Sequence, residues 1–231
     1  IFFFESQAAI KVSKYIRASE KKIVGNLQLI SSLLIERQEF DIFFIHDSVL
    51  SATDLHDKNL CIKNYEKIFS HLLKFASSHP EIKIVYSGKL DPSHELEFKQ
   101  RVDCFKTNNI LPRMTYGINT HRIIAKSKVV VNFWSSLGYS AYALRKRVIW
   151  VNINGYLDYY GGPGKYHEND SIMTSEYAEF ENKLLMALDD NNTEQIKILK
   201  RRRVEFSSIE EEPSELVARE IIKHLSITEI S

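Results

Sequence analysis

Cysteine is nearly absent from this chain: Cys61 and Cys104 are the only two in 231 residues, and neither stands in a Cys-x-x-Cys spacing. A disulfide scaffold and a structural zinc site both need more thiols than that, so neither is expected, and a reducing, cytoplasmic setting fits best. Long hydrophobic runs are also missing. The most apolar stretch at the start, Ile1-Phe2-Phe3-Phe4, gives way at once to Glu5 and Ser6, well short of the roughly 18 to 20 residues that span a bilayer. It reads as neither signal peptide nor anchor. Charge of one sign is not in excess, since 31 Lys and Arg face 30 Asp and Glu for a formal net charge of +1. That balance gives no broad basic field and sets nucleic acid aside as the main partner. The eight histidines form no HExxH or H-x-H pair. With no Walker, GxGxxG, GxSxG or Asp-x-Asp pattern either, a metal site and the chemistries those motifs carry are not expected.

What is present is an ordinary globular composition, 44% hydrophobic and 26% charged, in a chain long enough to bury a core without cross-links. Leu27, Ile30, Leu33 and Leu34 fall at helical spacing within 27–39, and DIFFIH, Asp41 to His46, is a buried strand leading into the polar loop 47–57. Tyr65, Ile68, Phe69, Leu72, Leu73 and Ala76 repeat at i, i+3, i+4 until His79-Pro80 stops the helix. Ile82 to Tyr86 is the next strand. Leu96, Phe98, Val102 and Phe105 mark a less regular helix, and 110–116 a third short strand interrupted by Pro112. From 119 to 154 the pattern is helix, strand, turn, helix, strand: a βαβ unit with the strands Val129 to Phe133 and Val148 to Val151. Their continuous apolar character suits a parallel sheet covered on both faces. Helices follow near 175–189, 194–206 and 214–226. The predicted fold class is therefore α/β, a Rossmann-like doubly wound parallel sheet with helices on both faces and C-terminal helices.

In such sheets ligands bind at the carboxyl ends of the strands, so the loops after Tyr86, Phe133 and Val151 are the places to search. Ser135, Ser136, Leu137 and Gly138 form a strand-to-helix turn whose free N–H groups and helix dipole favour a phosphate. The same residues also read as an N-cap with a close-packed glycine. In the loop Ser87 to Pro92, Lys89 is placed to neutralise phosphate charge and Asp91 to accept a hydroxyl bond or cap the next helix, although a solvated lysine fits the pattern too. The segment 152–164 carries Asn154, Tyr156, Tyr160 and four glycines, a composition suited to a base or sugar ring or to a long ordered crossover. The basic run Lys200 to Arg203, followed by Glu205 and Glu210 to Glu212, reads better as a solvated helix face than as a contact for anionic lipid.

With these residues placed, a family resemblance emerges. The stretch His121 to Asn154, containing VVVNFWSSLGYSAYAL and then RKRVIWVNING, resembles the C-terminal, nucleotide-sugar-binding half of GT-B glycosyltransferases, especially bacterial enzymes of surface and capsular carbohydrate synthesis, and the likeness covers most of the chain. The opening FFFES, with Lys22-Ile23-Val24-Gly25-Asn26, is similar to the crossover by which such enzymes enter their second domain. Lys89-Leu90-Asp91-Pro92 resembles their Lys-x-His-Pro loop and Ser135-Ser136 their Ser-Ser pair. Two positions depart from the pattern: Asp91 stands where His is usual, and Ser140 where a glutamate commonly holds the ribose.

The resemblance implies a division of the chain. Residues 1–26 would be the crossover from an N-terminal domain lying outside this sequence, a view the initial Ile1 also suggests, with 27–210 as the donor-binding domain and 211–231 as a C-terminal helix. It implies a metal-independent enzyme without cofactor, the nucleotide-sugar being the donor substrate. Lys89, Asp91, Ser135, Ser136, Leu137, Gly138, Asn154, Tyr156 and Tyr160 would hold that donor, while the catalytic base would lie in the absent half. The acceptor would be a surface polysaccharide or lipid-linked glycan, met at the inner face of the membrane through peripheral contact. Two other outcomes stay open: a polyol-phosphate transferase of the teichoic-acid type, and a non-catalytic module that binds glycan or stabilises a partner, which Asp91 and Ser140 favour. A phosphoacceptor signalling domain is disfavoured because Asp47 has no acidic neighbours.

Overall fold

Side chains of successive strand residues point to opposite faces, and in Phe40–Ile45 both faces are apolar, so the strand is buried on two sides and the sheet it joins needs helices above and below. A computed structural model describes residues 2–3, 22–23, 36–46, 58–88, 95–107, 109–115, 118–153, 170–205, 217–219 and 221–222. Strands β1 (Phe2–Phe3) and β2 (Lys22–Ile23) form a parallel pair of their own. The main sheet is built from β3 (Phe40–Ile45), β4 (Ile84–Ser87), β5 (Ile110–Pro112), β6 (Ser127–Asn132), β7 (Arg147–Val151) and β8 (Ser171–Ile172). Its spatial order is β5-β4-β3-β6-β7-β8, and every neighbouring pair is parallel.

Helices α1 (Lys58–Ser78), α2 (Glu95–Val102), α3 (Ile118–Ala125), α4 (Leu137–Ala143), α5 (Tyr177–Leu188) and α6 (Thr193–Glu205) surround it, with a 3-10 turn at Asp103–Thr107 extending α2. One layer joins Ile42, Phe44, Tyr86, Val131 and Val151 to Tyr65, Leu72 and Phe75 of α1 and Phe180 and Leu184 of α5. The other joins Phe43, Ile45, Val85, Val130 and Trp150 to Ile124 of α3 and Leu137 and Ala141 of α4. The amphipathic stripe of α1 runs longer than its apolar spacing indicated, beginning at Lys58. Pro112 ends β5, and an edge strand is where a residue without an N–H is tolerated.

Other expectations meet the structure unevenly. The helical spacing of 27–39 falls on 27–35, outside the described residues, and 36–39 are not helical. Within 214–226 the described positions 217–219 and 221–222 are helical. Strand β8 was not expected, being two residues long. The solvated reading of the run Lys200 to Arg203 is wrong at Arg202, which is 1% exposed. Its guanidinium donates through Nε (3.0 Å) and Nη2 (2.8 Å) to one oxygen of the buried Asp170. No helix among the described residues is long and apolar enough to cross a membrane.

The chain winds from β3 outward through β4 and β5, then returns to place β6 on the other side of β3 and continues to β7 and β8. The order therefore reverses between β3 and β6. A crevice opens beyond the carboxyl ends of strands at such a reversal, and that is where open α/β sheets bind ligands.

Candidate functional site

Asn132 ends β6 and holds the turn after it: its Nδ2 donates to the Ser135 carbonyl at 3.0 Å. Asn132 is fully buried, and its Oδ1 has no hydrogen-bond partner among the described residues. Ser135 Oγ accepts the Leu137 N–H at 3.4 Å, and the Gly138 N–H goes to the Ser135 carbonyl at 3.2 Å. Ser136 is the N-cap residue of α4, yet its hydroxyl makes no capping bond and the residue is exposed. A Cβ on Gly138 would lie 2.6 Å from both Asn132 Nδ2 and the Trp150 ring. The absence of a side chain there is what lets α4 start directly on the sheet.

The carboxyl ends of β3 and β4 lie on the same edge. The His46 N–H donates to the Ser87 carbonyl at 2.7 Å, and a Cβ on Gly88 would collide with the His46 carbonyl oxygen. The root of the β4 loop is thus pressed onto the end of β3. Thr115 Oγ1 donates to the Gly88 carbonyl at 3.0 Å and lies 2.9 Å from Ser87 Oγ and 2.8 Å from Thr120 Oγ1, all of them buried. This knot fixes the residue preceding Lys89. On the other side of the sheet His46 Nδ1 meets Tyr86 OH at 2.6 Å, and Tyr86 OH meets Tyr65 OH at 3.1 Å. Burial first, and the adjacent Tyr65, push the Tyr86 phenol well above its ordinary value. It stays neutral and serves as a hydrogen-bond link, fixing the orientation of the imidazole at the switch point. Arg101 stacks 4.5 Å over the Tyr65 ring and donates to Glu66 at 2.8 Å.

Of the residues expected from the sequence, Ser135, Ser136, Leu137 and Gly138 lie together at the carboxyl end of β6. Lys89, Asp91, Asn154, Tyr156 and Tyr160 lie outside the described residues. The chain leads toward them from Gly88 and from the buried Asn152 and Ile153, both beyond strand ends on the same edge. The sequence reading passed over His46, although its place as the last residue of DIFFIH was a usable signal. Thr115 and Thr120 gave none, because their partners are set by folding. Ser140 is buried with its Oγ 3.3 Å from His121 Nε2, so this position forms a contact between α3 and α4. Among the described residues no three His, Cys, Asp or Glu side chains converge as a metal site would require.

Surface grooves of about 460 and 320 Å³ lie along β3 to β5 and α3. Arg113, Arg122 and Lys126 face Glu36 and Glu39 in the larger, with a Lys126–Glu39 pair at 2.8 Å. Thr115 also lines the larger groove, but its hydroxyl is spent on the Gly88 carbonyl, and the switch point is the better candidate on topology.

No protein-family model matches the sequence, and no curated protein does. Solved structures match in fold. The UDP-GlcNAc 2-epimerase of Neisseria meningitidis bound to UDP-GlcNAc has a TM-score of 0.56 at 13% identity, over 96% of this chain and 60% of that one. The S. aureus MnaA–UDP structure gives 0.57 at 12%, over 97% and 59%. The pneumococcal O-GlcNAc transferase GtfA in complex with UDP and GlcNAc gives 0.50 at 14%, over 97% and 45%. The chain spans 55 to 60% of the length of the 2-epimerase structures it matches. What it shares with these nucleotide-sugar enzymes is the fold, an α/β, Rossmann-like parallel sheet of the GT-B C-terminal domain type.

Proposed function

We propose that this chain is the donor-binding part of a metal-independent glycosyltransferase that moves a sugar from a nucleotide-sugar to a surface polysaccharide or lipid-linked glycan. The observation that carries this is the β6–α4 turn: it stands at the switch point of a doubly wound sheet, and Ser136 there is an exposed residue whose hydroxyl is not used for capping. Fold neighbours recorded with UDP or UDP-GlcNAc support a diphosphate ligand.

Transfer of the sugar leaves negative charge on the departing nucleotide phosphate. In this reading Ser135 and Ser136, the start of α4 and Lys89 stabilise that charge in place, and Asp91, Leu137 and Gly138 shape the pocket around it. Asn154, Tyr156 and Tyr160 border the base or sugar. The acceptor and the catalytic base belong to a part of the enzyme outside this chain, with peripheral membrane contact where the acceptor is lipid-linked. Donation of a polyol phosphate instead of a sugar, as in teichoic-acid synthesis, would use the same turn.

A second reading has one observation in its favour. Ser140 is buried against His121, so it cannot replace a ribose-binding carboxylate, and a non-catalytic module that binds glycan or stabilises a partner would not need one.

Calorimetric titration with UDP, CDP, CMP and GDP decides between them. Saturable binding of one nucleotide, lost in the Ser136→Ala/Lys89→Ala double variant with its melting curve intact, is the expected result. Unchanged binding in that variant sinks the site assignment, and no binding by the folded chain favours the non-catalytic module.

A further inference from the structure

We propose that Trp134 is the ring platform of the crevice, the residue on which the base or sugar ring of a nucleotide ligand stacks; this rests on the nucleotide-binding reading above. Trp134 follows Phe133 directly beyond the carboxyl end of β6. Among the described residues it alone packs against both hydrophobic layers, the one beneath α1 and α5 and the one beneath α3 and α4. A side chain reaches both layers only by lying across the ends of the strands, so the indole lies over the strand ends at the switch point. Phe133, with ring centroids 5.6 Å away at 67°, and Tyr65, at 6.5 Å and 46°, hold it in one orientation.

The neighbouring Phe133 and Leu137 are buried, whereas Trp134 keeps part of its surface open. An indole held rigid with an exposed part offers a large flat contact at little entropic cost, and a stacked ring would remove that apolar surface from water. Ser135 and Ser136 come next in the chain, so hydroxyls suited to a diphosphate and a surface suited to a ring lie within the reach of one nucleotide. The ring could be the base or the sugar joined to the diphosphate, and the two sources are separable.

The intact chain is convenient for the test because Trp134 and Trp150 are its only tryptophans, and Trp150 is 1% exposed. Calorimetry and intrinsic fluorescence are run together with UDP, GDP, CDP and UDP-N-acetylglucosamine. For a nucleotide that binds, wild-type emission should change on titration and Trp134→Phe, which retains Trp150, should show no change. Trp134→Ala should weaken binding roughly 5- to 150-fold, the range that loss of one aromatic stack produces. An equal loss for UDP and its sugar conjugate places the base on the indole, and a loss confined to the conjugate places the sugar there; either outcome supports the platform. Equal affinity of wild type and Trp134→Ala overturns it while leaving nucleotide binding intact. Absence of calorimetric binding by folded wild type overturns both. Should Trp134→Ala fail to fold, wild type alone decides: saturating ligand must shield the accessible tryptophan from acrylamide, and unshielded emission overturns the proposal.

Discussion

Arg145 sits at φ 60, a left-handed backbone that a side chain resists. It is there because α4 closes with a Schellman pattern: the Lys146 N–H reaches the Ala141 carbonyl at 2.9 Å and the Arg145 N–H the Tyr142 carbonyl at 2.9 Å. Glycine fits that position without strain, so Arg145→Gly should stabilise the protein by about 1 kcal/mol, seen in a thermal melt as a rise of about 2 to 4 °C. Gly138, at the other end of the same helix, allows no comparable change because Trp150 and Asn132 occupy the space a Cβ would need. The sequence offered Gly138 both as a phosphate-site and as a packing glycine, and the Trp150 contact gives it a packing role that is compatible with either. No local pattern could have shown it, since the ring that crowds it comes from the following strand.

Among elements, α6 is fastened by a buried ion pair rather than by an apolar stripe. Arg202 and Asp170 pair at 2.8 Å with both side chains buried, and Tyr142 OH donates to the same carboxylate oxygen at 3.4 Å while accepting the Trp150 Nε1–H at 2.8 Å. Burial, and then the Asp170 charge, push the Tyr142 phenol upward, so it remains a neutral donor in this chain. Removing one member leaves an uncompensated buried charge, and Arg202→Met should therefore cost about 3 to 5 kcal/mol in urea unfolding. The Arg202→Met/Asp170→Leu pair should cost markedly less than the single change. Helix α5 is tied to the end of α1 by His79, the residue after Ser78, whose Nε2 meets Glu181 at 3.1 Å; within α5 the Tyr177 OH donates to the same carboxylate at 2.8 Å. The His79 hydrogen bond first, and that of Tyr177 next, hold the Glu181 carboxyl below its ordinary 4.5. A carboxyl depressed by folding contributes stability above its unfolded pKa and loses it as the pH falls through the folded one. Glu181→Gln should thus flatten the decline of the urea midpoint below about pH 4.5. Helices over α5 and α6 were expected from the sequence, but the charged run of α6 looked solvated because Asp170 lies 32 residues away.

For the whole molecule the decisive feature is the order of the sheet, because it sets where a ligand can enter. A nucleotide seated at the β3/β6 reversal binds the folded chain alone, so at a hundred times its Kd it should stabilise the protein by about 2.7 kcal/mol. Differential scanning fluorimetry should show that gain with the nucleotide selected by calorimetry and lose it in the Ser136→Ala/Lys89→Ala variant. The sequence by itself determined the strand and helix periods, the parallel character of the sheet and the strand-to-helix turn at Ser135 to Gly138. All of these follow from steric and hydrophobic preferences acting between near neighbours, which a linear pattern records. Only the tertiary structure decided that β6 returns beside β3, that His46 meets Tyr86 across 40 residues, that Thr115 holds Gly88 across 27, and that Arg202 turns inward. These contacts lie outside any local period, and a buried polar group finds its partner only once the layers have closed and water has been excluded.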